Sequence, residues 1–244
     1  MKVSLIIPTL NEIDGMREIM PRIHKDWVDE IIIVDGNSTD GTFEYAKEHG
    51  YITLKQKSKG AINAYWEALE IATGDVIIPF SPDGNSVPER IPELVAKMRE
   101  GYDMVIASRY YQGAKSDDDD SLSALGNWIF TTLINFLFGG RYTDSLVMFR
   151  AWRRELIQFF RYDVTQAGFE PELCIQCARH KKRVADIPGD EPKRIDGKTT
   201  RINKYKAARA ILSLIFKEFF TPGKAIQNLS PVELNVKIKS RIAG

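Results

Sequence analysis

Two apolar stretches in this 244-residue chain run into the same tetrapeptide, Asp-Gly-Asn-Ser. Ile31-Ile32-Ile33-Val34 leads into Asp35-Gly36-Asn37-Ser38, and Val76-Ile77-Ile78-Pro79-Phe80-Ser81-Pro82 leads into Asp83-Gly84-Asn85-Ser86. A carboxylate on a glycine-containing turn can accept hydrogen bonds from a ligand or take part in holding a metal ion. Near-continuous apolar runs read as strands buried on both faces, the pattern of a parallel sheet covered by helices. In open α/β sheets, ligands bind in the crevice beyond the carboxyl ends of the strands. Asp-Gly turns also end strands that bind nothing, so the surrounding residues must carry the argument.

Charge is distributed unevenly. The formal net charge is +1, yet residues 1–140 hold 13 Lys and Arg against 22 Asp and Glu, and residues 141–244 hold 21 against 11. That division predicts an acidic, metal-holding half and a basic half that faces phosphate or a membrane surface. Arg179 to Arg209 alone contains 11 basic and four acidic residues. Nucleic acid is not an expected partner, because no aromatic stacking platform accompanies these cations. Cys174 and Cys177 are the chain's two cysteines. They form no disulfide framework and, even with His180, supply too few ligands for structural zinc, so a reducing cytoplasm is expected. No secretory signal is recognised at Met1-Lys2. The apolar stretch Trp128–Phe138 falls short of the ~20 residues of a membrane span.

The elements that must position these residues alternate strand and helix over the first 110 positions. Strands are predicted at Val3–Ile7, Glu30–Val34, Tyr51–Leu54, Asp75–Phe80 and Asp103–Ala107. The helices between them are a first one running to about His24, capped by Thr9 or Asn11, a second opened by Ser38 and Thr39, then Ala61–Ile71 and Pro88–Arg99. This is the order of a mostly parallel, doubly wound α/β sheet. Further on, Gln112–Ser123, with its Asp117–Asp120 run, reads as a solvated loop. Helices follow at about Ser123–Phe138, Arg153–Phe160, Glu172–Arg179 and Lys204–Phe219, with strands at Leu146–Arg150 and Arg183–Ile187. The expected organisation is one domain over residues 1–220, ending in a basic loop and an amphipathic helix, and a tail over 221–244.

With these motifs in order, the chain resembles the family 2 glycosyltransferases, which have the GT-A fold. The resemblance rests on Val3-Ser4-Leu5-Ile6-Ile7-Pro8-Thr9-Leu10-Asn11-Glu12 and on Ile33-Val34-Asp35-Gly36-Asn37-Ser38-Thr39-Asp40-Gly41-Thr42. Lys59-Gly60-Ala61 and Ala72-Thr73-Gly74-Asp75 fall where that family places them. Ala107-Ser108-Arg109-Tyr110, Asp144-Ser145 and Phe149-Arg150-Ala151-Trp152-Arg153-Arg154 resemble the polyprenyl-phosphate branch, the group of dolichol-phosphate mannose synthase. The resemblance implies that Pro8, Thr9, Glu12, Asp35 and Lys59 bind the nucleotide of a nucleotide-diphosphate sugar. An acceptor-only carboxylate at Asp35 suits the ring N–H of uracil or guanine. It further implies that Asp83 binds Mg²⁺ or Mn²⁺ across the diphosphate, with Ser81 and Asn85 as companion oxygen ligands.

One departure stands out: the family's Asp-x-Asp reads Ser81-Pro82-Asp83 here, exchanging one carboxylate for a neutral hydroxyl. Arg194-Ile195-Asp196-Gly197-Lys198-Thr199-Thr200-Arg201 resembles the loop that closes over donor and acceptor phosphates. Its Gly-Lys-Thr is not a P-loop, since Pro192 stands where the upstream glycine belongs. The expected activity is sugar transfer with inversion to a polyprenyl phosphate such as dolichol or undecaprenyl phosphate. Asp83, Asp144, Arg194 and Arg201 are the expected catalytic residues, and Arg109 and Lys198 are expected to bind phosphate. Arg150 is expected to pair with Asp144 or another acid. A cytoplasmic protein, peripheral at the inner face of the plasma membrane, would fit a lipid acceptor. Two other readings stay open at this point. One is transfer to a saccharide hydroxyl with Asp144 as base; the other is a non-catalytic nucleotide-sugar binding module, motivated by Ser81.

Overall fold

Apolar residues that alternate between two faces build the centre of the protein. A computed structural model describes residues 1–159, 168–195 and 203–221. In it β1 (Val3–Thr9), β2 (Glu30–Asp35), β3 (Ile52–Lys55), β4 (Val76–Pro79), β5 (Met104–Ser108), β6 (Arg150–Arg153) and β7 (Val184–Pro188) form one sheet, in the order β3-β2-β1-β4-β6-β5-β7. Neighbours are parallel except β6, which runs antiparallel to both β4 and β5. The result is the expected mostly parallel α/β sheet with one reversed strand inside it.

The helices are α1 (Ile13–Ile19), α2 (Thr42–Glu48), α3 (Ala61–Ile71), α4 (Ile91–Arg99), α5 (Ser121–Phe138), α6 (Phe169–Arg179) and α7 (Lys204–Phe220). Leu5, Ile7 and Ile33 enter one apolar layer with Met16, Ile19, Leu94 and Met98 of α1 and α4. Ile6, Ile32 and Val34 enter the other with Ala68, Leu69, Ile134, Leu173 and Ile215 of α3, α5, α6 and α7. Each such side chain, fully buried, contributes about 1.5–3 kcal/mol of transfer free energy. With both faces covered, the strand ends stay open beside the turns that carry Asp35 and Asp83.

Several boundaries differ from expectation for identifiable reasons. The strand predicted at Leu146–Arg150 begins only at Arg150, because Asp144 Oδ1 accepts the N–H groups of Leu146 and Val147, both at 3.1 Å, and withdraws them from the ladder. The helix predicted at Arg153–Phe160 is a 3-10 segment, Arg154–Phe159. Helix α1 stops at Ile19, where a 3-10 turn with Pro21 takes over; Pro21 has no N–H to continue an i→i−4 ladder.

Capping also differs. Glu12 is the N-cap residue of α1 and provides no side-chain cap. Instead the turn after β2 supplies the acceptors: Ser38 Oγ for Asn11 N–H (2.9 Å), Thr42 Oγ1 for Glu12 N–H (3.0 Å) and Asp40 Oδ2 for Ile13 N–H (3.0 Å). Asp40 also accepts from the N–H of Thr42, so it, rather than Ser38 and Thr39, serves the first turn of α2. Burial would raise the Asp40 pKa, but hydrogen bonds from Thr42 and Ile13 hold it below its ordinary value. The turns after β1 and β2 are thus stitched into one rim.

Helices α5 and α7 lie side by side, with Lys204 paired to Asp120 near their starts and Phe138 against Phe219 near their ends. Among the described residues α5 has the length and apolarity to span a bilayer, at 18 residues and mean hydropathy 1.3. The apolar stretch expected from sequence, Trp128–Phe138, is the C-terminal part of this helix. Here α5 packs on the sheet through Phe130 and Ile134 as a helix of the domain.

Candidate active site

The ends of β1 and β2 present two buried oxygens without partners. Thr9 and Asp35 are register neighbours, and both are buried, Asp35 completely. Asp35 Oδ2 accepts the N–H groups of Asn37 and Ser38, each at 3.0 Å, which fixes the turn. Asn37 there adopts φ 69°, a left-handed conformation that asparagine tolerates. Asp35 Oδ1 and Thr9 Oγ1 make no hydrogen bond within the protein. Buried polar atoms are rarely left so, and a ligand donor is one way to satisfy them.

The floor beside them is a rigid loop. Gln56 N–H donates to the Asp35 carbonyl at 2.8 Å. Its side-chain amide donates to the carbonyls of Ser58 and Gly60. Glu67 of α3, 2% exposed, accepts from Lys57 N–H (2.8 Å) and Ser58 N–H (2.9 Å). Sequence reasoning missed Glu67. Its signal was an acid between Ala64 and Ala68 on the apolar side of a helix. Lys59 is exposed on this loop, and Pro8 is half-buried on β1.

A cavity of about 230 Å³ adjoins, lined by Asn11, Glu12, Ile13, Asp14, Gly15, Asp40, Asp83 and Ile195. It brings Glu12 together with Asp83 and adds Asp14 and Asp40, which the sequence does not single out. Gly15 lets α1 approach the β4 turn, since a Cβ there would stand 2.2 Å from the Pro82 carbonyl oxygen. Asp83 is buried; its Oδ1 accepts Asn85 N–H at 3.2 Å and its Oδ2 lies 3.0 Å from Arg194 Nη1. Ser81 and Asn85 are half-buried on the same turn. Among the described residues no group of three or more His, Cys, Asp or Glu side chains is arranged to hold a metal ion. Ser81, Asp83 and Asn85 are hard oxygen donors, the kind that suits Mg²⁺ or Mn²⁺.

Arg109 and Asp144 are committed to each other. Arg109 Nε and Nη2 grip the Asp144 carboxylate at 2.7 and 3.1 Å, while Nη1 reaches Asp119 (3.0 Å) and Glu191 (3.4 Å). Burial would raise the pKa of the fully buried Asp144, but the Arg109 guanidinium overrides it and holds the carboxyl below its usual value. A general base must reach the proton it removes; Asp144 has no exposure, and the Arg109 guanidinium is taken up by Asp144, Asp119 and Glu191. Arg150 is fully buried and donates to the carbonyls of Ser145, Val147 and Glu170 rather than forming the expected pair with Asp144.

Nor is the Asp117–Asp120 run merely solvated. Asp118 pairs with Arg194, Asp119 with Arg109 and Asp120 with Lys204. Lys198 and Arg201 lie outside the described residues. Cys174 and Cys177 are buried thiols, and burial pushes Cys174 up to about 11, which keeps it protonated.

Several known proteins are similar to this chain in sequence or in fold. The chain is 36% identical over 126 residues to a dolichol-phosphate mannosyltransferase of Pyrococcus furiosus, a match covering 48% of this chain and 36% of that protein. It is 27% identical over 202 residues to an undecaprenyl-phosphate mannosyltransferase of Micrococcus luteus, covering 77% of this chain and 82% of that protein. The fold superposes on glucosyl-3-phosphoglycerate synthase of Mycobacterium tuberculosis, crystallised with Mn²⁺, uridine diphosphate and phosphoglyceric acid. That alignment has a TM-score of 0.69 at 19% identity and covers 91% of this chain and 80% of that one. Residues 4–160 match the family described as glycosyl transferase family 2. With a match of that extent on a mostly parallel GT-A sheet, the chain belongs to the family 2 glycosyltransferases.

Proposed function

We propose that the protein transfers a sugar, with inversion, from a nucleotide-diphosphate donor to a polyprenyl phosphate, with Mg²⁺ or Mn²⁺ at Asp83. The observation that carries the donor half is the paired unpartnered oxygens of Thr9 and Asp35, buried at neighbouring strand ends. They call for N–H or O–H donors, which a uracil or guanine ring and a ribose supply. Pro8, Glu12 and the Lys59 loop complete the nucleotide side. Four carboxylates, those of Glu12, Asp14, Asp40 and Asp83, line the adjoining cavity. A diphosphate entering there needs positive charge, which supports a cation held by Asp83, Ser81 and Asn85. Bound there, the cation would offset charge on the leaving diphosphate. Arg194, with Lys198 and Arg201, would grip phosphate oxygens.

The sealed Asp144 supports a phosphate rather than a hydroxyl acceptor. A hydroxyl needs a base, whereas a phosphate with its second pKa near 6 is already ionised at neutral pH. The names of the relatives above agree with a polyprenyl phosphate acceptor. A surface for its lipid is available: Leu125, Trp128 and Phe136 of α5 and Tyr205, Phe216 and Phe220 of α7 are exposed, with Lys204, Lys206 and Lys217 beside them. Such a face suits the interface of a cytoplasmic leaflet.

The test incubates purified protein and Mn²⁺ with radiolabelled UDP- and GDP-sugars, offering undecaprenyl phosphate in detergent or saccharide acceptors. Label passing into the lipid phase is the expected result. Label only in saccharide, or none with any donor, would refute the proposal.

A further inference from the structure

The cation proposed at Asp83 has a competitor inside the protein. Arg194 Nη1 lies 3.0 Å from Asp83 Oδ2, a charged contact on a carboxylate that is nearly removed from water. Backbone contacts deliver it there. Ile195 N–H donates to the Asp83 carbonyl at 2.9 Å. Gly84, at φ +89°, leaves room for the Ile195 side chain, whose Cγ1 would stand 2.8 Å from any Cβ. Upstream, Glu191 forms a β-bridge with Ser116, supported by Glu191 N–H to Lys115 O and Asp117 N–H to Glu191 O, both 2.8 Å. Arg194 Nε reaches Asp118 Oδ2 at 3.2 Å. Residues 191–195 therefore form a strap pinned on both sides of the guanidinium.

A buried carboxylate without a counter-charge is costly, and Arg194 supplies that charge to Asp83. A guanidinium is equally matched to phosphate oxygens. We propose that Arg194 is the resident counter-ion of Asp83, exchanged for a divalent cation only when a nucleoside diphosphate arrives to receive the arginine. The inference rests on the cation-assisted donor site proposed above and adds its order of assembly. A cation alone competes with a fixed charge already in place, and a diphosphate alone meets an acidic cavity. Each should strengthen the other by the same factor, because coupling of binding free energies is reciprocal.

The test measures Mn²⁺ binding by electron paramagnetic resonance, with and without UDP or GDP, in the wild type, Arg194→Gln, Arg194→Lys and Asp83→Asn, each checked for fold by thermal melting. Arg194→Gln should bind Mn²⁺ alone about tenfold tighter than wild type, within the usual range of site–site coupling, and should lose most of the gain that nucleotide confers. Arg194→Lys keeps the charge and should behave nearly as wild type, while Asp83→Asn should lose Mn²⁺ binding. Equal affinity for Mn²⁺ alone in wild type and Arg194→Gln, with Asp83→Asn still impaired, would overturn the counter-ion proposal and leave the donor site standing. Absence of Mn²⁺ binding to wild type even with both nucleotides would overturn the two together.

Discussion

Asp35→Asn isolates the base contact from the fold that surrounds it. Asp35 Oδ2 holds the turn through Asn37 and Ser38, whereas Oδ1 is unpartnered in a fully buried side chain. An asparagine keeps the turn by setting its oxygen at the Oδ2 position. Its amide then occupies the Oδ1 position and presents hydrogens to the ring N–H of the base. Two donors face each other where an acceptor stood, and a buried mismatch of this kind costs about 1–3 kcal/mol. Donor affinity should fall by roughly 5- to 150-fold, while the melting temperature changes little because no hydrogen bond within the fold is lost. Calorimetric titration of UDP and GDP in Mn²⁺, beside circular dichroism of the variant, makes the measurement. A folded Asp35→Asn protein with wild-type affinity for every nucleoside diphosphate would remove Asp35 from the base site and take the orphaned-oxygen argument with it.

Asp144→Ala should destabilise the fold by about 3 kcal/mol, the usual cost of breaking a buried ion pair, read by urea unfolding at neutral pH. The pH dependence has a definite sign: the folded carboxyl titrates below its unfolded value near 3.8, so its contribution is full above that value and fades as pH falls through the lower folded one. The wild-type advantage over the variant should therefore shrink only in acid, and an advantage that is flat down to pH 2 would contradict the pairing. Gly15→Ala forces a Cβ to 2.2 Å from the Pro82 carbonyl oxygen; overpacking of this kind costs about 1–3 kcal/mol, and an unchanged melting temperature would mean that α1 does not abut the β4 turn. Exchanging both Trp128 and Phe136 for Ser should cut sedimentation with anionic vesicles at least about tenfold, since each exposed ring contributes more than ~1.5 kcal/mol when buried in lipid, and unaltered sedimentation would exclude this face.

The parallel strands and the doubled turns were legible in the sequence because their signals are local. The apolar runs Ile31–Val34, ahead of Asp35, and Val76–Phe80, ahead of Ser81-Pro82-Asp83, mark strands buried on both faces, and the chain folds that way. Helix α3 was read as Ala61–Ile71, its observed span, because Gly60 and Ala72 bracket an uninterrupted helical pattern. The strand at Arg150 was misplaced because Leu146 and Val147 look apolar and extended, and nothing local reveals that Asp144 takes their N–H groups. Capping of α1 failed for the same reason: its acceptors come from Ser38, Asp40 and Thr42, on another turn.

Charged residues were the hardest to assign, because what a charge does depends on what faces it. Arg109 and Asp144 look like a cation and a base when read separately, and 35 residues separate them. In the structure they are in contact, and each satisfies the other. The acidic run Asp117–Asp120 looks like a solvated loop until residues 76 and 84 positions away arrive as Arg194 and Lys204. Asp83 is read as a metal ligand from its place in the motif, and in the structure its carboxylate faces Arg194. Its neighbour Ser81 removes the second carboxylate of the family motif, so Arg194, which faces Asp83 through Nη1 and Asp118 through Nε, meets one carboxylate fewer on this turn. A site with two carboxylates would keep a net negative charge against one guanidinium and hold a cation before any nucleotide arrived. Under the counter-ion proposal, a single carboxylate on this turn would make cation binding conditional on the diphosphate, so the exchange of one aspartate for serine would bear on when a metal enters.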